Sequence, residues 1–150
     1  MLRPTAAKIK LSSLRHNVSF AKSIAPATKL MAVIKADAYG HGALSVAEAL
    51  KDNVEAFAVA SLDEAMELRD QKISIPILIL EGVFSPEDIK ICSSNDITIA
   101  VHSRTQIDWL EQARIENKIN CWLKIDTGMS RLGIEPETVS LSLERLQNCS

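Results

Sequence analysis

Five short, continuously apolar segments constrain this chain more than any other feature of its sequence. They are KLMAVIK, AFAVAS, IPILILE, ITIAVHS and NCWLKID, and they recur roughly every two dozen residues. Apolar runs of this length are typical of strands that are buried on both faces of a parallel sheet. The segments between such strands must then supply the helices that cover the sheet. The sequence therefore predicts an α/β protein with about five strand–helix units in 150 residues.

The segments between the apolar runs carry the expected helix signals. Residues 12–25 place apolar side chains at helical spacing behind a serine that is expected to cap them. Ser85 and Pro86 predict the N-cap and the first residue of another helix. Ser103 and Gln106 have the spacing of a capping box. The remaining predicted helices cover residues 43–51, residues 62–70, a segment from Ser103 to near Asn117, and a segment from Pro136 through Leu146.

Composition argues against several classes of protein. The formal net charge is −2, and no basic block with interleaved aromatic residues predicts a nucleic-acid partner. No run approaches the roughly 18 apolar residues of a membrane helix, and the N-terminus lacks the apolar region of a secretory signal. Cys92, Cys121 and Cys149 include no CxxC pair, so we expect packing residues, no disulfide, no metal site and a cytoplasmic location.

Two architectures fit five strand–helix units. One is a small, open, doubly wound sheet, which the chain length favours on pattern alone. The other is an incomplete TIM barrel, because a complete (β/α)8 barrel typically needs about 250 residues. In both architectures ligands bind at the carboxyl ends of the strands, so motifs at those ends carry the functional argument.

The first such motif is VIKADAYGHG, residues 33–42, which places Lys35 at the end of the first predicted strand. An amine held against apolar neighbours loses hydration, and this favours the neutral form that attacks carbonyl groups. Tyr39 offers an uncharged hydrogen-bond donor, and the next helix offers N-terminal amides that could bind an anion. The alternative is an ordinary lysine whose ammonium group reaches water at the rim of the sheet. Asp37 is expected only to form local hydrogen bonds in the turn.

The second motif is CWLKIDTGMSRLG, residues 121–133, which follows the fifth predicted strand. Lys124 lies within an apolar strand, and Arg131 follows on a loop bounded by glycines. Two cations close together repel each other at low dielectric constant, so an anion between them is expected. In the alternative interpretation Lys124 pairs with Asp126 and Arg131 lies in solvent. His16 and His102 show no partner pattern and are expected to be surface or packing residues.

Both motifs resemble those of the alanine racemases. The string KADAYGHG matches the pyridoxal phosphate attachment motif of that family, and KIDTGMSRLG looks like its K-x-D-T-G-M-x-R-L-G block. Shorter matches follow in order (AVASLDEAMELR, PILILEG and VHS), so the resemblance runs nearly from end to end. It implies an incomplete α/β barrel of the TIM type, with residues 1–150 as the N-terminal part of the cofactor-binding barrel.

The resemblance also implies a role for four side chains. Lys35 would carry pyridoxal 5'-phosphate on its amine and move the α-proton on one face of the substrate. Tyr39 would hydrogen-bond the cofactor phosphate, and Arg131 would lie beside the cofactor phenolic oxygen and the substrate carboxylate. Lys124 is expected to be carbamylated (N6-carboxylysine), which makes it an anion that holds Arg131.

The expected activity is interconversion of L-alanine and D-alanine, which supplies D-alanine for peptidoglycan. In the family the second base is a tyrosine from the C-terminal β-domain of the partner subunit in a homodimer, whereas Tyr39 is the single tyrosine here. We therefore expect an N-terminal piece of a racemase that is inactive alone. The alternatives are a piece of a racemase of broader specificity, a barrel that binds pyridoxal phosphate without catalysis, and a non-functional remnant.

Overall fold

A computed structural model describes residues 5–149 and contains one five-stranded, fully parallel sheet. The strands lie in chain order, so each strand pairs with the strand that precedes it along the chain. The strands are β1 (Met31–Val33), β2 (Ala56–Val59), β3 (Ile77–Ile79), β4 (Ile97–Val101) and β5 (Cys121–Leu123).

Helices connect the strands and flank the sheet. The helix before β1 begins one residue before the predicted segment, and Lys10 is its N-cap without a side-chain hydrogen bond, so the predicted serine cap is wrong. The helix after β4 ends at Gln112 and not near Asn117, because Ala113 has extended dihedrals. The helices are α1 (Leu11–Ile24), α2 (Ala43–Leu50), α3 (Leu62–Asp70), α4 (Pro86–Ser94), α5 (Arg104–Gln112) and α6 (Val139–Gln147), the last preceded by a 3-10 turn at Pro136–Thr138.

All the helices pack on one face of the sheet. The main core joins strand residues such as Phe57, Ile77 and Ile99 to apolar residues from each of the six helices. The opposite face has a separate small cluster that contains only residues from β1 to β4 and the residue after β3: Met31, Ala58, Leu78, Leu80 and Ala100. A doubly wound sheet needs helices on both faces and a strand order that reverses. The preference for that sheet on pattern alone is therefore wrong, and the incomplete TIM-type barrel is confirmed.

The helix-free face of the sheet is curved. A cavity of about 270 Å³ at the amino ends of the strands is lined by Met31 of β1, Leu78 of β3, Thr98 of β4 and Trp122 of β5. Residues from the first and last strands share this cavity, as expected for part of a barrel wall. Within residues 5–149 no helix is long and apolar enough to cross a membrane.

Candidate active site

The sequence predicted that Lys35 ends β1, but in the structure Lys35 opens a left-handed turn. The strand ends at Val33, and Ala36, Asp37, Ala38 and Tyr39 all have φ between 51° and 55°. The left-handed conformation destabilises the backbone by roughly 1–2 kcal/mol for each residue that has a Cβ atom. Four such residues in a row therefore need strong local support.

Part of that support comes from within the motif. The Asp37 carboxylate accepts the Ala43 N–H at 2.6 Å, and the Asp37 carbonyl accepts the Gly42 N–H at 3.0 Å. His41 Nδ1 lies 2.9 Å from the Ala38 carbonyl oxygen. Asp37 thus makes the local hydrogen bonds that were expected of it. The Asp37 carboxylate also occupies the first amide of α2. This is the helix end that was expected to offer amides to an anion.

The remaining support comes from Glu64, in the first turn of α3. Its Oε1 accepts the Ala36 N–H and its Oε2 accepts the Ala60 N–H, each at 2.7 Å. One carboxylate therefore joins the left-handed turn to the end of β2. No role was predicted for Glu64 from the sequence, although Ser61 and Glu64 have the spacing of a capping box. That spacing was the available signal.

The left-handed turn presents both of its candidate cofactor-binding side chains without protein partners. Lys35 is half-buried and Tyr39 is 61% exposed. Within residues 5–149 the Lys35 amine forms no ion pair or hydrogen bond, and the Tyr39 hydroxyl forms no hydrogen bond. The backbone of the turn is thus held firmly while these two groups stay available to a ligand.

The loop after β5 closes on itself at Asp126. The Asp126 carboxylate accepts the Gly128 N–H at 2.9 Å and the Ser130 N–H at 3.0 Å, and these bonds lower the pKa of Asp126 below its ordinary value. The base of the loop is closed by hydrogen bonds from the Ile134 N–H to the Lys124 carbonyl and from the Asp126 N–H to the Ile134 carbonyl. Only glycine fits at Gly133, where a Cβ atom would lie 2.4 Å from the Asp126 nitrogen.

The structure does not show the alternative ion pair between Lys124 and Asp126. Lys124 is half-buried and forms no salt bridge within the described residues, whereas the hydrogen bonds of the Asp126 carboxylate go to its own loop. Arg131 is exposed. Because the sheet is parallel, Lys35, Lys124 and Arg131 all belong to the carboxyl edge of the strands, with Lys35 after β1 and the other two after β5.

Gln106 organises the junctions after β3 and β4. It is 3% exposed, its Oε1 accepts the His102 N–H at 2.9 Å, and its Nε2 donates to the Val83 carbonyl at 3.1 Å. The His102 Nε2 atom lies 2.9 Å from the Glu81 carbonyl oxygen and 3.2 Å from Gln106 Nε2. His102 is therefore a half-buried packing residue, as expected, but with a defined partner that the sequence pattern did not reveal. His16 is exposed.

Cys92, Cys121 and Cys149 are free thiols in the structure. Cys92 is fully buried in the core, where burial raises the pKa of its thiol to about 12. Burial likewise raises the pKa of Cys121 to about 11. Both thiols are therefore protonated at neutral pH and act as packing groups.

The structure is part of an α/β barrel with a candidate catalytic edge. An amine-bearing turn follows the first strand, and a cation-bearing loop follows the fifth. Comparison with known proteins gives the family. The family model described as "Alanine racemase, N-terminal domain" matches residues 9–150, and this chain belongs to that family.

Individual relatives agree with this assignment. The chain is 45% identical to an alanine racemase of Mannheimia succiniciproducens over 99% of its length, and 47% identical to one of Hamiltonella defensa. The crystal structure of the biosynthetic alanine racemase from Pseudomonas aeruginosa superposes with a TM-score of 0.88 at 39% identity over 92% of this chain. An alanine racemase of Clostridium difficile 630 covers all of it with a TM-score of 0.89 at 35% identity.

The chain spans about two fifths of the relatives that it matches. It covers 42% of the Mannheimia succiniciproducens protein, 41% of the Hamiltonella defensa protein and 38% of the Pseudomonas aeruginosa chain.

Proposed function

We propose that this chain is the cofactor-binding barrel portion of a pyridoxal phosphate-dependent alanine racemase, with Lys35 as the residue that holds the cofactor. The observation that carries the proposal is the Lys35 amine, which follows β1 on a rigidly held left-handed turn and has no partner within residues 5–149. An amine that is half-buried and unpaired suits a group that must react with a carbonyl. A lysine at the rim of a sheet can also be unpaired, so the firmly held left-handed turn is what sets Lys35 apart.

The residues beside Lys35 fit the same cofactor. The exposed Tyr39 hydroxyl can donate a hydrogen bond to a phosphate group, and it brings no competing charge. When bound, pyridoxal phosphate supplies an electron sink for the negative charge that remains after an amino acid loses its α-proton. Lys35 would take up or return that proton at Nζ, which requires its amine to alternate between the neutral and the protonated form.

The loop after β5 would orient the substrate. Arg131 carries a planar, permanently charged guanidinium that suits recognition of a carboxylate. Lys124 would hold Arg131 after carbamylation, which converts a repelling cation into an anion. The Asp126 hydrogen bonds and the close approach at Gly133 support the backbone of the loop that carries Lys124 and Arg131.

The proposal extends to the setting of the enzyme. The substrate pair is L-alanine and D-alanine, used for peptidoglycan, and the second base would come from the partner subunit of a homodimer. A cytoplasmic location belongs to the same proposal, because three free thiols suit a reducing compartment.

Borohydride reduction tests the role of Lys35. The 150-residue chain is incubated with pyridoxal phosphate, reduced and digested, and the labelled peptides are identified by mass spectrometry. We expect the label on Lys35 in preference to Lys90, an exposed lysine on α4 that serves as the internal control. Lys35→Ala should abolish the preferred label. Equal labelling of both lysines, or none on Lys35, would contradict the proposal.

A second measurement separates a racemase from a barrel that only binds the cofactor. Both predict the label on Lys35, but only the racemase predicts that L-alanine alters the absorbance of the bound cofactor through Arg131. We expect Arg131→Ala to remove that response while the Lys35 label persists. The matched control is Arg114→Ala, an exposed arginine that follows α5.

A further inference from the structure

The β1–β2 ladder stops abruptly beside Lys35. Its last rung is the hydrogen bond from the Ile34 N–H to the Ala58 carbonyl at 2.8 Å. In a parallel ladder with the observed register, the Ala60 N–H would next bond to the Ile34 carbonyl, and the Ala36 N–H to the Ala60 carbonyl. Neither bond forms.

All four groups of the two missing rungs have other partners. The Ile34 carbonyl accepts the Ala38 N–H at 2.9 Å, and the Ala60 carbonyl accepts the Glu81 N–H at 3.3 Å. The two N–H groups, of Ala36 and Ala60, both bond to Glu64. The Glu64 carboxylate therefore replaces two rungs of the ladder at the place where β1 leaves the sheet, and Lys35 is the residue between the last rung and the first bond to Glu64.

We propose that Glu64 is a positioning residue for Lys35, acting through the backbone of Ala36 and Ala60 and not through contact with the amine. Within the described residues Glu64 forms no ion pair with Lys35, so its charge is directed to the two amides. A carboxylate is the suitable group, because it alone offers two acceptor atoms to two donors that face each other across a gap. This inference rests on the proposed function, since it assumes that the direction of the Lys35 amine matters.

The variants Glu64→Gln and Glu64→Ala test the proposal in the 150-residue chain. Glutamine keeps one acceptor and presents an NH₂ group to the other donor, so one bond is lost, and alanine loses both. The matched control is Glu67→Gln, because Glu67 lies on the same helix and is exposed. Circular dichroism checks that each variant is folded, and if Glu64→Ala does not fold, the comparison between Glu64→Gln and Glu67→Gln decides.

The first readout is amide hydrogen exchange at Ala36 and Ala60, measured by NMR. We expect exchange on the order of tenfold to a hundredfold faster when a bond to the carboxylate is lost, in the order wild type, Glu64→Gln, Glu64→Ala. Glu67→Gln should exchange at the wild-type rate. Unchanged exchange in both Glu64 variants would overturn the proposal.

The second readout concerns Lys35 itself. We expect the borohydride label on Lys35, relative to Lys90, to fall on the order of tenfold in Glu64→Gln, because a misplaced amine meets the cofactor less often. Acetylation by a small reagent, which needs no binding site, should not fall. Faster exchange with an unchanged cofactor label would show that Glu64 is only structural and would overturn the positioning role. A wild-type chain without label on Lys35 would instead overturn the proposed function, and the positioning role with it.

Discussion

Single residues fix the shape of the candidate active site by close contact. Gly82 follows β3 with a φ of 69°, and a Cβ atom there would lie 2.3 Å from the Ala100 carbonyl oxygen and 2.5 Å from Gln106 Nε2. Gly40 has a similar φ of 79°, but nothing lies within 4 Å of its missing Cβ atom. The two glycines therefore separate the cost of backbone strain from the cost of atomic overlap.

We expect Gly82→Ala to destabilise the chain more than Gly40→Ala. Gly40→Ala should cost about 1–2 kcal/mol for its left-handed backbone alone. Gly82→Ala should cost about 1–3 kcal/mol more, because the β4 carbonyl and the buried amide must move. Urea unfolding of both variants measures the difference. Equal losses of the free energy of unfolding would show that the junction after β3 is looser than described.

Asp126 makes the loop after β5 sensitive to acid. Hydrogen bonds from the Ser130 and Gly128 amides lower the pKa of Asp126, so folding of the loop favours the deprotonated carboxylate. Its contribution is fully present above the ordinary carboxyl pKa and is lost as the pH falls through the lowered value.

We therefore expect the protection of the Gly128 and Ser130 amides, measured against the intrinsic exchange rate at each pH, to fall as the solution is acidified below the ordinary range of an aspartate. In Asp126→Asn this loss of protection on acidification should disappear, because the asparagine side chain does not titrate. Asp70→Asn, a change at an exposed aspartate of α3, is the control. NMR exchange rates over a pH series provide the measurement. A pH profile of Asp126→Asn identical to that of wild type would contradict the assignment.

At the scale of elements, three strand–helix junctions share one design. In α3, α4 and α5 the third residue of the helix reaches back to the amide of the residue before the N-cap: Glu64 to Ala60, Asp88 to Phe84 and Gln106 to His102. Glu64 also bonds to Ala36, which follows β1, and Gln106 also bonds to Val83, which follows β3. Each side chain therefore reaches from its own junction to the neighbouring one. The carboxyl edge of the sheet is thus a set of cross-linked junctions, and this rigidity suits a candidate catalytic surface.

We expect Gln106→Leu to be strongly destabilising. Leucine fills a similar volume but leaves the His102 N–H and the Val83 carbonyl without their partner, at a cost of about 2–4 kcal/mol. Gln112→Leu, at an exposed position of the same helix, should change the free energy of unfolding little. Urea unfolding monitored by circular dichroism gives both values, and similar values would contradict the role of Gln106.

The sequence predicted the positions of the strands and of some helix starts, but not the order of the strands in the sheet. Apolar runs located the five strands, and Ser85 with Pro86 correctly predicted the start of α4, because propensity and capping act over a few residues. Strand order could not be derived from those local signals, so the doubly wound sheet was preferred on pattern alone. The barrel was predicted only from the resemblance of the motifs to those of a family.

For the candidate site, the sequence predicted the position of Lys35 along the chain but not its backbone. Four consecutive left-handed residues with a Cβ atom oppose local propensity, and a tertiary contact from Glu64, 28 residues away from Ala36, helps to hold them. The roles of Lys35, Tyr39, Lys124 and Arg131 remain predictions that the experiments above address.

At the scale of the whole molecule, the proposal gives these 150 residues one of the two bases that the reaction would require. Tyr39 is the only tyrosine, and the proposal already assigns it to the cofactor phosphate. We expect no conversion of L-alanine to D-alanine by these 150 residues alone, even where Lys35 takes the borohydride label. A coupled assay for D-alanine, with the Pseudomonas aeruginosa racemase as positive control, makes the measurement. Turnover above the background without enzyme would contradict a two-base site divided in this way.

The sequential strand order has a consequence for how the molecule forms. Each strand pairs only with its neighbours in chain order, so the sheet contacts close loops of similar, modest length. Each loop closure therefore costs a similar and limited conformational entropy. The sheet can therefore grow by one strand–helix unit at a time while the ribosome is still translating the next.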